Sequence, residues 1–228
     1  MVRHGQSTNN VVRDNPGAAR TSDPDLTDLG HQQAEALGTW MAANGPRPGR
    51  IFCSLMRRTI QTAHPWADAL DVGIEARADL HENAGPYLGD HADKQPHPGS
   101  ARSVLQGFSD RVVLPDSATE QGWWSGPTER LADSLRRAQR VAQWLWTLDD
   151  DIVGLVIHGA FGSVLLSALL QPGAIRATLE RDNPSSYDIG FWYRLDNASV
   201  TLLELDRVSG EITVNWINRI DHLSDPAV

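Results

Sequence analysis

Two histidines that each precede a glycine, and one pair of adjacent arginines, are the residues best suited to chemistry: Arg3-His4-Gly5, Arg57-Arg58 and His158-Gly159. A histidine can attack phosphorus through one ring nitrogen and become a phosphohistidine, which divides one difficult displacement into two easier ones. Its other ring nitrogen then needs a fixed acceptor, usually a backbone carbonyl, to set the tautomer. A glycine beside the histidine lets a phosphate come close to the main chain. Arginines meet the nonbridging oxygens with a planar fork of donors. Positioning and charge stabilisation supply most of the rate in such transfers. A carboxylic acid is still wanted to protonate the departing alcohol.

These residues are far apart in sequence, so an α/β scaffold must gather them. Thr27 is placed to cap a helix through Gln33, Ala34, Leu37 and Trp40 to Ala43, ended by Asn44-Gly45-Pro46. Residues 50–54 read as a short strand, and residues 55–70 as a helix that Pro65 should bend or interrupt. Residues 128–148 carry Leu131, Leu135, Ala138, Ala142 and Leu145 at helical spacing. The unbroken apolar run 152–157 has the character of a buried strand and leads into His158-Gly159 and a further helix. Residues 199–206 and 211–218 read as a hairpin turning at Val208-Ser209-Gly210. The expected fold is a three-layer α/β/α sandwich with a mostly parallel central sheet. Ligand sites in such sheets lie beyond the carboxyl ends of the strands. Both histidines and the arginines can meet at that rim.

The 228 residues are 40% hydrophobic and 21% charged, enough for a sizeable core. They are read as one domain, 1–228, with an insertion or lid at 83–127, where Pro, Gly and Trp123-Trp124 accumulate. The tryptophans either close over a substrate or plug that segment onto the core. A net charge of −9 argues against nucleic-acid and membrane-surface partners. No apolar run approaches the roughly 20 residues of a membrane span. No secretory leader is visible, so a cytoplasmic location is expected. Cys53 is the only cysteine, which excludes an internal disulfide and a Cys-rich zinc site. Lys94 is the only lysine, so an anionic substrate would be held mainly by arginine; genome composition explains most of that bias.

Several blocks in order resemble the histidine phosphatase superfamily, the phosphoglycerate-mutase-like group. They are Arg3-His4-Gly5-Gln6-Ser7-x-x-Asn10, Asp25-Leu26-Thr27-x-x-Gly30-x-x-Gln33-Ala34, Ser54-x-x-x-Arg58-Thr59-x-Gln61-Thr62-Ala63, Leu80-x-Glu82 with Gly85, and Val156-x-His158-Gly159. The closing Asn218-Arg219-x-Asp221-His222-Leu223 is also similar to the family. The resemblance implies His4 as the phosphorylated nucleophile, Glu82 as proton donor, and Arg3, Arg58 and His158 as ligands of the phosphoryl group. It implies Ser7, Asn10 and Gly159 around the phosphate, no metal, no cofactor and a small phosphorylated substrate. Asp79 is a substitute acid for Glu82. Arg57 is left as a helix-surface residue or a substrate contact. A homo-oligomer is compatible with all of this.

Two positions depart from the family. Only Met1 and Val2 precede the first block, where a longer apolar strand is usual, so either the first strand is very short or the natural start lies upstream. Leu55 stands where proline is common, with little effect expected. The expected activity is phosphomonoester hydrolysis through phosphohistidine. A mutase-type phosphotransfer is the alternative, disfavoured because Asn83-Ala84-Gly85-Pro86 supplies no base after Glu82, and an inactive phosphate binder ranks below it.

Other signals are read as incidental. Asp23-Pro24-Asp25-Leu26-Thr27 matches the D-x-D-x-T motif of haloacid-dehalogenase-like phosphatases but lacks the preceding strand. Arg58 falls one residue short of a cysteine-phosphatase loop with Cys53, and no nucleotide-binding G-x-x-x-x-G-K-[ST] loop exists. His81, His91 and His97 with Asp90 and Asp93 read as a solvated loop, not a metal site. Asn197-Ala198-Ser199 is a glycosylation sequon without consequence unless the protein is secreted. Specificity is expected from residues 83–127 and 182–193.

Overall fold

The computed structural model of the chain describes residues 1–14, 20–90 and 93–223. Its strands are β1 (Val2–Arg3), β2 (Arg50–Ser54), β3 (Gly73–Arg77), β4 (Tyr87–Gly89), β5 (Lys94–Pro96), β6 (Val112–Val113), β7 (Val153–Ile157), β8 (Val200–Leu205) and β9 (Ile212–Arg219). Its α-helices are α1 (Thr8–Asp14), α2 (Asp28–Asn44), α3 (Arg57–Leu70), α4 (Arg102–Gln106), α5 (Leu131–Thr147), α6 (Gly159–Leu170) and α7 (Pro172–Leu179).

Seven strands form one sheet in the order β6-β3-β2-β7-β1-β8-β9. The first five are mutually parallel; β8 joins antiparallel to β1, and β9 antiparallel to β8. Alternation along the strands divides the core in two. Ile51 and Cys53 of β2 and Val156 of β7 pack with Leu37 and Met41 of α2 and Ile60, Ala63 and Trp66 of α3. Phe52, Leu155 and Ile157 point the other way, into Leu135, Ala138 and Val141 of α5 and Phe161, Val164 and Leu165 of α6. This is an α/β/α sandwich with a mostly parallel sheet.

Local chemistry accounts for the element ends. Thr27 caps α2, its Oγ1 accepting from Gly30 N–H at 3.0 Å. The terminal hairpin turns where Gly210 takes φ 74°, and its N–H donates to Asp206 O at 2.8 Å. Helix α3 runs through Pro65 without the interruption expected of it. The ring removes only one helical donor, while Ile60, Ala63, Trp66 and Ala67, all buried, hold both halves of the helix to the core.

The segment expected to be least regular is partly ordered into the fold. β4 and β5 pair as a hairpin, and β6 joins the main sheet beside β3. Trp123 is buried in the same core cluster as the inner residues of α2 and α3, and Trp124 packs against it edge-on. Both tryptophans therefore fix this segment to the body of the protein. The motif start is a two-residue strand at the centre of the sheet, Val2 pairing with Val156 on one side and Val200 on the other. Among the described residues no single helix is long and apolar enough to cross a membrane.

Candidate active site

Strands β1, β2 and β7 lie side by side, and their carboxyl ends deliver His4, Ser54 and His158 to one rim. His4 and His158 rings lie 5.2 Å apart, centroid to centroid, at 62°. Arg58, on the first turn of α3, lies against both: its Nε donates to His4 Nε2 at 3.1 Å, and one terminal nitrogen to His158 Nδ1 at 3.0 Å.

Hydrogen-bond logic fixes both tautomers. His4 Nδ1 lies 2.6 Å from Gly5 O, an acceptor only, so Nδ1 carries the proton and Nε2 keeps its lone pair. Arg58 can only donate, so His158 Nδ1 accepts and its Nε2–H donates to Ser54 Oγ at 2.8 Å. Ser54 Oγ is in turn 2.8 Å from Thr59 Oγ1, which donates to Met56 O at 2.7 Å. Burial, and then the positive charge of Arg58, holds both imidazoles well below their usual titration range, so both are neutral at pH 7.

The loop that carries His4 is held by the less reactive residues of the same blocks. Gly5 N–H donates to Thr62 Oγ1 at 3.0 Å and Gln6 N–H to Gln33 Oε1 at 2.8 Å. Gly5 and Gly30 allow two backbones to touch, since a Cβ on Gly5 would lie 2.5 Å from Gly30 O. His4 N–H donates to Ile157 O at 2.9 Å, and His4 O accepts from Ala198 N–H and Asn197 Nδ2. The closing block secures that last contact: His222 Nε2 donates to Ala198 O, and Asn218 brackets Asp196.

A cavity of about 970 Å³ opens on the rim. Arg3, His4, Ser7, Asn10, Arg58, Glu82 and Gly159 all line it. Arg3 donates to Leu195 O, and Gly159 leaves room for its guanidinium, since a Cβ there would meet Arg3 Nε at 3.2 Å. Asn10 Oδ1 accepts from Ser7 N–H, Ser7 Oγ and Asn197 Nδ2. Glu82 sits at the N-terminus of α6, accepting from Ala160, Phe161 and Asn83 N–H at 3.1, 2.7 and 2.8 Å. His158 differs from the others: it is fully buried, does not line the cavity, and meets the cluster through Arg58.

Three further residues of the site carry no obvious sequence signal. Asp23, in the segment dismissed as a chance motif, is buried 3.9 Å from Arg58 and accepts from Arg57 N–H and Ser100 Oγ. Arg137 and Glu129 form a buried bidentate pair at 2.7 and 2.8 Å. Arg137 also donates to Asp79 O and His81 O, and so grips the loop that presents Glu82. Of the remaining candidates, Arg57 pairs with Asp25 at 2.8 Å and does not line the cavity. Asp79 pairs with Arg77 at 2.7 Å and does not line it either.

His81 corrects the expectation of a solvated loop. It is buried, its Nδ1 donates to Glu82 O, and burial pushes its pKa down to about 3. His91 lies outside the described residues. Among the described residues no group of three or more His, Cys, Asp or Glu is placed to hold a metal ion. Cys53 is fully buried, and burial raises its pKa.

The chain is similar to several known proteins. The M. tuberculosis PE-PGRS family protein PE_PGRS11 is 42% identical over 82 residues, which is 36% of this chain and only 14% of that protein. The Arabidopsis thaliana phosphoglycerate mutase-like protein 1 is 24% identical over 200 residues, 74% of this chain and 70% of its own. Among solved structures, mycobacterial glucosyl-3-phosphoglycerate phosphatase in complex with VO3 superposes with a TM-score of 0.58 at 22% identity, covering 96% of this chain and 97% of that one. The family model of the histidine phosphatase superfamily (branch 1) matches residues 1–218, and the chain belongs to that superfamily.

Proposed function

We propose that the protein is a phosphomonoesterase working through a phosphohistidine on His4. The observation that carries this reading is the locked tautomer: Nδ1–H is committed to Gly5 O, and the Nε2 lone pair sits beside the Arg58 guanidinium in a neutral ring. The incoming phosphoryl group takes over the Arg58 donors, with Arg3 on its other oxygens and Ser7, Asn10 and the Gly159 end of α6 around it. His158, which does not line the cavity, acts through Arg58: its Nδ1 accepts from the guanidinium and steadies it against the phosphoryl group.

In the first step the His4 Nε2–P bond forms, the P–O bond to the alcohol breaks, and Glu82 gives its proton to the leaving oxygen. In the second, water attacks phosphorus, the N–P bond breaks, and the water's proton returns to Glu82. Guanidinium and imidazole groups supply the charge stabilisation, so turnover is expected to persist with chelator present. The segments 83–127 and 182–193 form the specificity wall, since Asn83, Tyr87 and Lys94 from one and Trp192 and Tyr193 from the other line the cavity.

His4→Ala is expected to remove turnover of p-nitrophenyl phosphate by on the order of 10⁴-fold or more while keeping the wild-type melting profile. Retained activity in that variant would take His4 out of the mechanism. The relative named phosphoglycerate mutase-like favours a second reading, in which the phosphoenzyme passes its phosphoryl group back to a substrate. Phosphate release measured beside 3-phosphoglycerate isomerisation, on one preparation, separates the two.

A further inference from the structure

The turn that carries Glu82 is fixed through its main chain as well as its side chain. The carboxylate accepts from Asn83, Ala160 and Phe161 N–H. Glu82 O accepts from Gly85 N–H at 3.0 Å and from His81 Nδ1–H at 2.8 Å, so both lone pairs of that carbonyl are used. Asn83 Oδ1 accepts from Ser134 Oγ at 2.6 Å, and Ala84 O from Glu129 N–H at 3.1 Å. Gly85 lies against an indole, since a Cβ there would meet Trp124 Cζ2 at 2.8 Å. Each residue from 82 to 85 is thus tied down.

His81 stands at the centre of this arrangement. It is buried and does not line the cavity, so its ring has no direct route to a substrate. Trp124 packs edge-on against it, with ring centroids 4.7 Å apart at 76°, and the Trp123 ring lies 6.1 Å away. Its backbone is fixed separately, since Arg137 donates to His81 O at 3.0 Å. An apolar side chain would fill the same space without burying a polar group. What the imidazole adds is direction: Nδ1–H orients the Glu82 peptide and so the origin of the Glu82 side chain. Direction matters here. A proton donor must come within about 2.6–3.2 Å of the leaving oxygen, and a displacement of about 1 Å can cost about 10²-fold.

We infer that His81 is a positioning residue for the proton donor, with Trp124 setting the tilt of its ring. This rests on the phosphomonoesterase reading with Glu82 as its acid. It gives the insertion a task besides lining the cavity, because Trp124 of that segment supports the acid through His81. Neither His81 nor Trp124 lines the cavity, so their effect on turnover runs through Glu82.

The test varies the leaving group. In a two-step phosphatase kcat/KM reports the steps up to P–O cleavage, so water attack on the phosphoenzyme does not enter it. 2,4-Dinitrophenyl phosphate releases a stable anion that needs no proton, whereas phenyl phosphate releases a basic one that does. His81→Leu is expected to lower kcat/KM on phenyl phosphate by about tenfold or more, and on 2,4-dinitrophenyl phosphate by less than about twofold. His81→Asn, whose Nδ2 can stand in for the imidazole Nδ1, should restore most of the loss. Trp124→Leu should show the same split at smaller size, and it carries the test where His81→Leu does not fold. Equal losses on both esters, or no loss on either, overturn the positioning role. Glu82→Gln is measured beside them. If it shows the split and His81→Leu does not, only this inference falls. If Glu82→Gln shows no split, the acid role of Glu82 falls and takes the inference with it.

Discussion

Arg58 and Arg137 are both buried, with 6% and 4% of their surfaces exposed, yet their surroundings differ. Arg137 is fully answered: a bidentate carboxylate, two backbone carbonyls and the face of Phe161 at 3.9 Å. Arg58 has two neutral imidazoles, a methionine sulfur and a carboxylate no nearer than 3.9 Å. Burial accordingly lowers the pKa of Arg58. A buried cation in close contact with its counter-ion is architecture, and one whose carboxylate stands off at 3.9 Å keeps donors for an incoming anion.

Breaking the paired arginine should show first in stability. Arg137→Met leaves Glu129 buried and unpartnered, and a loss of about 3–5 kcal/mol is expected in chemical denaturation. Adding Glu129→Leu should return most of it. An Arg137→Met protein as stable as wild type would erase the distinction.

Breaking the other should show in catalysis. Arg58→Gln is expected to lower kcat/KM on p-nitrophenyl phosphate by about 10²–10³-fold, comparable to losing a donor to a developing oxyanion. Its stability should change by less than about 2 kcal/mol, the scale of the imidazole hydrogen bonds it leaves open. A large destabilisation with little kinetic effect would reverse the roles of the two arginines.

Acidity sharpens what the two share, because burial, and then the charge of each arginine, holds neighbouring imidazoles neutral. His4 and His158 lie well below 6.5 and His81 is near 3, while unfolded histidines titrate near 6.5. Below pH 6.5 the unfolded chain therefore takes up protons that the native state refuses. Stability should fall as pH drops from 6.5 toward 3, by up to about 1.4 kcal/mol per pH unit for each histidine, and these groups contribute no slope above pH 7. Asp23, raised by burial, acts in the opposite sense at the acid end. Denaturation midpoints that stay level between pH 7 and 5 would contradict this. Arg137→Met/Glu129→Leu should flatten mainly the share of the His81 slope that the Arg137 charge adds to burial, with a smaller change from His158.

The smallest effect lies in the Glu82 turn. Ala84 sits at φ 75°, where glycine is favoured, in a turn closed by Gly85 N–H to Glu82 O at 3.0 Å. Ala84→Gly is expected to stabilise by about 1 kcal/mol or less, read as a small rise in Tm.

Much of the Arg58 region was legible in the sequence, because its parts come from compact blocks. His4, Arg58, Glu82 and Gly159 each lie beside residues whose only task is local, such as Thr62 and Gln33 binding the loop backbone. The helices with clear apolar stripes and the terminal hairpin were legible for the same local reason. The Arg137 region was not. An arginine within a helix is ordinarily taken as solvated, and its burial depends on a carboxylate in the preceding loop and on carbonyls of residues 79 and 81. One hint existed: Ser134, Arg137, Ala138 and Val141 share a helical face, and all four are buried. The strand β6 is two residues long and gains its identity only from pairing with β3. That His158 reaches the cluster through Arg58, instead of opening on the cavity, is a matter of depth that motif spacing does not encode.

Asn197 is both the acceptor of a sequon and a strut of the site, its amide donating to His4 O and Asn10 Oδ1. An oligosaccharyltransferase would have to seize that same nitrogen. Once folded, the chain shields it, whereas a glycan attached during synthesis would pull the strut from under His4. Production in a secreting eukaryotic host should therefore yield either bare, competent molecules or sugar-bearing, inert ones, with no active glycoform between them.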